Sequence, residues 1–217
     1  MKQHFMFLLF VGILFYRGFA IADLVFYTDR SAWESAVNTD ITVENFDSVT
    51  PYFLTEGINN AGLIEIKMLN LSGVNEFNSI DDGSSILNID ETPFFRGGCL
   101  RADPDVLINL WIPSSAIAFG GDFTSTHSSD GLILQVAELQ YSFEELLPLD
   151  EGDGFLGFIS SNVFSTVTLF DPVQDDPANN VFRLGETFGL DTVSFAVPEP
   201  ATLFILGLGT LLTRKRK

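Results

Sequence analysis

Along most of the chain, apolar residues recur at every second position in short runs. In the stretch IEIKM, Ile64, Ile66 and Met68 point one way while Glu65 and Lys67 point the other, the period-two pattern of a half-buried strand. LVFYT, VLINLW, AIAFGGDF, LILQVAEL, FLGFIS and VFSTVTLF repeat the theme, separated by Gly, Asp, Asn, Ser and Pro. In the last run before residue 198, FGLDTVSFAV, the residues Asp191, Val193, Phe195 and Val197 alternate with Thr192, Ser194 and Ala196. About ten short strands with turn signals between them predict an all-β body. The expected architecture is a two-sheet β-sandwich of jelly-roll type. A single short helix interrupts the pattern at DRSAWESAV, where Asp29 or Ser31 can cap and Ser31 and Glu34 have capping-box spacing. Ala32, Trp33, Ala36 and Val37 would lie on one side of it, across an apolar surface.

Both ends depart from this pattern. Lys2 precedes an apolar run from Phe5 to Tyr16, and Ala20-Ile21-Ala22 offers a small-x-small cleavage site before Asp23. Residues 1–22 therefore read as a secretory signal peptide, removed by signal peptidase. At the other end, Ala201 to Thr213 forms a thirteen-residue apolar run containing Gly207 and Gly209. As a helix it would span roughly 20 Å, short of the ~30 Å hydrocarbon core. Arg214, Lys215, Arg216 and Lys217 follow, where the positive-inside rule puts a cytoplasmic end. A short, temporary transmembrane segment fits better than a permanent anchor. The division is then 1–22 signal, 23–197 extracellular β-domain, and 198–217 C-terminal signal.

Charge sharpens the picture. The formal net charge of the 217 residues is −18. Between the two terminal segments there are five bases (Arg30, Lys67, Arg96, Arg101, Arg183) against 28 acids, a balance of −23. Such a surface repels phosphate backbones and excludes nucleic acid as a partner. It favours solubility, divalent cations and basic partners. Cys99 is the single cysteine, so neither an intrachain disulfide nor a CxxC metal pair is available.

Val197-Pro198-Glu199-Pro200-Ala201-Thr202, the apolar run and the basic end together resemble the PEP-CTERM sorting signal of Gram-negative bacteria. The resemblance implies processing by an exosortase, a membrane cysteine protease, and delivery to the envelope or the exterior. FYTDRSAWESAV, VENFDS, AFGGDF, DGFLGFIS and ETFGLDTVSFAVPEP follow an order similar to that of PEP-CTERM proteins. The body also resembles carbohydrate-binding modules and lectin-like sandwiches. That likeness implies a structural calcium joining Glu44 or Asp47 to Asp191, since calcium takes six to eight oxygen ligands. LDEGDG, with Asp150, Glu151 and Asp153, is a second acidic loop, though not with EF-hand spacing.

Catalytic constellations are hard to find. His127 is the one histidine after the signal, and its neighbours Ser128, Ser129 and Asp130 are too close in sequence to form a relay. No spacing singles out a glycosidase carboxylate pair. Trp33, Tyr52, Trp111, Tyr141 and Phe94-Phe95 are the aromatics that could meet a sugar, with Trp33 turned to the core and Trp111 ending a strand. The leading expectation is a non-enzymatic structural or interaction protein of the cell envelope or the extracellular polysaccharide matrix. A calcium-supported carbohydrate-binding module is the alternative, and a secreted hydrolase a distant third.

Overall fold

The structure, a computed structural model, describes residues 23–69, 78–84, 90–98, 107–124, 126, 132–147, 153–170 and 187–198. Its strands are β1 (Leu24–Tyr27), β2 (Ile41–Glu44), β3 (Tyr52–Phe53), β4 (Gly57–Ala61), β5 (Ile64–Leu69) and β6 (Ser79–Asp81). They continue as β7 (Phe94–Gly98), β8 (Leu107–Thr124), β9 (Ile133–Val136), β10 (Leu139–Ser142), β11 (Gly154–Phe170) and β12 (Thr187–Ala196). Two short helices, α1 (Arg30–Val37) and α2 (Phe143–Leu146), complete the described elements.

The all-β expectation holds, but the sheet is arranged differently. All twelve strands join one curled antiparallel sheet, where two separate sheets were expected. The physical reason lies in β8 and β11. VLINLW and AIAFGGDF, read as two strands, are one 18-residue strand, and FLGFIS and VFSTVTLF merge into one of 17 residues. Pro113 and Ser161–Asn162, taken as turn punctuation, instead sit at register shifts. Ile159 pairs with Ala118, Phe164 with Ala116 and Thr166 with Trp111, so extra residues bulge from one strand and then from the other. Bulges bend and twist a sheet without breaking its hydrogen bonding.

The inward face changes parity across that bend. Before it, β8 buries Ile108, Leu110 and Ile112; after it, Phe119 and Phe123. In β11 the switch runs from Leu156 and Phe158 to Val167 and Leu169. Both halves of each long strand therefore face one common core. Phe158 packs on Phe119 and Phe164 with ring centroids 5.7 Å and 5.2 Å apart, and Phe123 meets Phe143 edge-on at 4.9 Å.

A second, smaller cluster lies beneath α1, where Trp33 and Val37 pack with Ala118, Phe155 and Ala196. Trp33 Nε1 donates to the Phe158 carbonyl at 3.2 Å, which satisfies its polar edge in the core. Asp29, not Ser31, caps the helix, its Oδ1 accepting from Ala32 N at 2.7 Å. Ala32 and Ala36 are exposed, so the buried stripe is narrower than the spacing suggested. At the N-terminal edge, Asp23 N donates to Ser161 Oγ at 3.0 Å, one residue before β1 begins.

Candidate functional site

The C-terminal segment emerges from the middle of the sheet. Val193–Ala196 of β12 is hydrogen-bonded to β2 on one side, and Ser194–Ala196 to β8 on the other. Ala196 pairs with both Ile41 and Ala118 and is fully buried beside Trp33. Val197 still packs against the main core. Pro198 has no N–H to continue the ladder, so the chain leaves the sheet there. Of the expected sorting residues, Pro198 is described, while Glu199, Pro200, Ala201, Thr202 and Arg214–Lys217 lie outside the described residues. The same is true of Ala20, Ala22, Cys99, His127, Asp150 and Glu151. Among the described residues, no helix is long and apolar enough to cross a membrane.

Seven residues before that exit, β12 carries Asp191, which is 1% exposed. Its Oδ1 accepts from Thr192 N at 2.5 Å, and its Oδ2 receives only a long contact from Thr92 Oγ1 at 3.5 Å. Thr92 is drawn more tightly to Asp90, its N–H and hydroxyl reaching Oδ1 at 3.0 and 2.5 Å. Burial pushes the Asp191 carboxyl up to about 6. The Thr192 amide opposes that rise, while the charges of Asp90, Asp122 and Asp47 add to it. Asp122 pairs directly across from Asp191 in the ladder. It is held by Arg30, whose Nη2 lies 2.7 Å from Asp122 Oδ2. The same guanidinium donates to Ser194 Oγ at 3.1 Å and stands 4.5 Å over the Phe155 ring.

Glu44 does not meet Asp191. It pairs with Val193, and its Oε1 and Oε2 accept from Phe46 N at 2.6 Å and Leu63 N at 2.5 Å. Both carboxylate oxygens are thus spent on backbone. Asp47 is nearer in role, because its charge acts on Asp191, and its Oδ2 accepts from Asn45 Nδ2 at 2.5 Å. Among the described residues no group of three or more His, Cys, Asp or Glu is placed to hold a metal. Sequence reasoning missed Arg30, Asp90, Thr92 and Asp122. Arg30 alone left a signal, as one of five bases in an acidic body at the first position of its only strongly patterned helix.

The aromatics separate cleanly. Trp33, Phe94 and Phe95 are fully buried, the latter two in β7, so none of them can meet a sugar. Tyr141 packs on Phe26 at 4.6 Å, and the Tyr52 hydroxyl donates to the Asn60 carbonyl at 2.7 Å. Trp111 lies inside β8, not at a strand end, and is 42% exposed.

Residues 196–217 match the family of the PEP-CTERM protein-sorting motif. The chain carries this sorting signal. Its first matched residue, Ala196, is also the last residue of β12, so the PEP-CTERM segment is rooted in the buried sheet without a linker. Such a motif implies processing by an exosortase and sorting to the cell envelope or the extracellular space. No curated protein and no solved structure matches the chain.

Proposed function

We propose that the protein is an exported, non-enzymatic structural or interaction component of a Gram-negative envelope or extracellular matrix. Its tail is held briefly in the inner membrane and released by an exosortase. The observation that carries this reading is the PEP-CTERM match at residues 196–217. The acidic body supports it, since self-repulsion keeps such a domain soluble after export. The curled sheet, closing on one core from two sides, is read here as a sandwich-like scaffold of the kind that presents surfaces to partners. A calcium-supported glycan module is the second reading, although among the described residues no three acids are grouped to hold the ion.

The test uses Glu199→Ala and Pro200→Ala, which lie beyond the last sheet residue and spare Pro198. In the producing cell, wild-type protein is expected in the envelope or medium with a mass showing loss of the basic tail. The variant, or a strain without exosortase, should retain the full C-terminus in the inner membrane. Identical location and mass in all three would sink the reading.

A further inference from the structure

Outward-facing residues on the half of the sheet built from β4, β5, β8, β11, β9 and β10 form rows fixed by strand register. Lys67 pairs with Asn109, Asn109 with Thr168, Thr168 with Gln135, and Gln135 with Gln140. These five positions form one continuous line across five strands, roughly 19 Å long at the usual strand spacing. The line is polar and knit together: Thr168 Oγ1 donates to Asn109 Oδ1 at 2.6 Å, and Gln140 Nε2 to Gln135 Oε1 at 3.1 Å. In the neighbouring row Glu65 pairs with Trp111 and Trp111 with Thr166, which sets the exposed indole directly beside the amides and hydroxyls. Lys67 Nζ stands 6.0 Å from the indole centroid, the outer limit of a cation–π contact.

Charge decides what such a face can hold. The body carries 28 acids against five bases, yet these two rows contain one acid and one base, Glu65 and Lys67. A face without net charge on so acidic a domain offers nothing to an anion and no special hold on a cation. Amides and hydroxyls both donate and accept, which suits a partner covered in hydroxyls. An exposed indole supplies a flat apolar platform for the C–H face of a sugar ring. Strand spacing is close to the length of one hexose, so successive row positions can meet successive rings.

We propose that this face, with Trp111 as platform and Asn109, Thr168, Gln135 and Gln140 as hydrogen-bonding row, binds a neutral polysaccharide chain. The site names a partner class for the interaction role above and uses no metal. Binding by purified protein does not depend on sorting, so the two readings fail separately.

The exported full chain, purified from producing cells, is run in native gels containing hydroxyethylcellulose, galactomannan or alginate. Retardation by at least one neutral polymer, insensitive to high salt, is expected. Iodide quenching of tryptophan gives a second readout. Trp33 is buried and reports folding, whereas Trp111 is accessible and should be protected by the polymer. Trp111→Ala should weaken binding roughly tenfold or more, and Thr168→Val several-fold, with Trp33 emission unchanged. Trp111→Phe should recover part of the loss. No retardation by either neutral polymer would overturn the proposal. So would retardation by alginate alone, retardation abolished by salt, or retention unchanged in both Trp111→Ala and Thr168→Val.

Discussion

Glu44 and Asp191 are two buried carboxyl groups on neighbouring strands of one sheet, 4% and 1% exposed, and their surroundings are opposite. Glu44 ties down two backbone amides, those of Phe46 and Leu63, in a corner where Phe46 has φ 59° and Gly62 φ 67°. Asp191 receives one amide and sits among the charges of three other aspartates. The first acid closes the turn after β2 onto the β4–β5 hairpin. The second is a buried acid whose environment works against its charge. Burial alone therefore says little about an acid's role; the count of donors facing it says most.

Removing the well-satisfied acid has the largest expected effect. Glu44→Ala leaves two amides and a cavity where the carboxylate stood, at a cost of about 3 kcal/mol. Urea unfolding of the exported protein reads that loss directly. A shift below about 1 kcal/mol would mean water replaces the carboxylate and the latch is dispensable. Gly62→Ala attacks the same corner from the other side. A Cβ there would overlap the Glu44 carboxylate, and the positive φ adds strain. About 2 kcal/mol of destabilisation is expected, and Glu44→Ala combined with Gly62→Ala should be less than additive.

Asp191 should behave in the opposite sense. Its folded pKa of about 6 lies above the ordinary aspartate value, so between the two the folded state binds more protons than the unfolded state. Stability then falls as pH rises through that window, and the penalty is complete above about pH 6. Asp191→Asn keeps an oxygen for the Thr192 amide and removes the charge. It should stabilise the protein by about 1–2 kcal/mol at pH 8 and leave stability nearly unchanged at pH 3.5, since exposed Asp90 at the rim lets water screen part of the full linkage value. A destabilised variant at pH 8 would refute this account. Calcium that raised the wild-type melting temperature but not that of Asp191→Asn would instead identify the acidic group as a cation site.

Period-two alternation made β5 legible, because it buries Ile64, Ile66 and Met68 and turns Glu65 and Lys67 outward; β12 alternates too, yet both its faces are covered, Val193 and Phe195 by the main core and Ala196 by α1. The length of β8 and β11 was not legible. Pro113 and Ser161–Asn162 look like turns when only neighbours are considered, and only pairing with partner strands keeps the chain extended through the bulges. The same limit applies to the site. The resemblance joined Glu44 or Asp47 to Asp191 through an ion, and of the two only Asp47 acts on Asp191, through its charge. Glu44's partner at Leu63 lies 19 residues away and depends on a left-handed corner at Gly62 that no local pattern announces. Arg30 reaches Ser194 across 164 residues, a contact set by helix docking.

The smallest change should come from Asp47→Asn, and it sharpens the comparison most finely. Asp47 is exposed and makes no direct bond to Asp191; its charge is the last of the three that raise the Asp191 pKa. Removing a like charge makes ionisation of Asp191 easier, so its pKa should fall by a few tenths and stability at pH 8 should rise by a few tenths of a kcal/mol. A carbon-detected NMR titration of the Asp191 carboxyl resolves such a shift. High salt should erase the difference between wild type and variant, because the interaction crosses solvent. An unchanged titration would leave burial as the main cause of the raised value. A pKa that rose instead would mean that Asp47, through its contact with Asn45, organises donors around Asp191 and belongs with Glu44 as a builder of the corner.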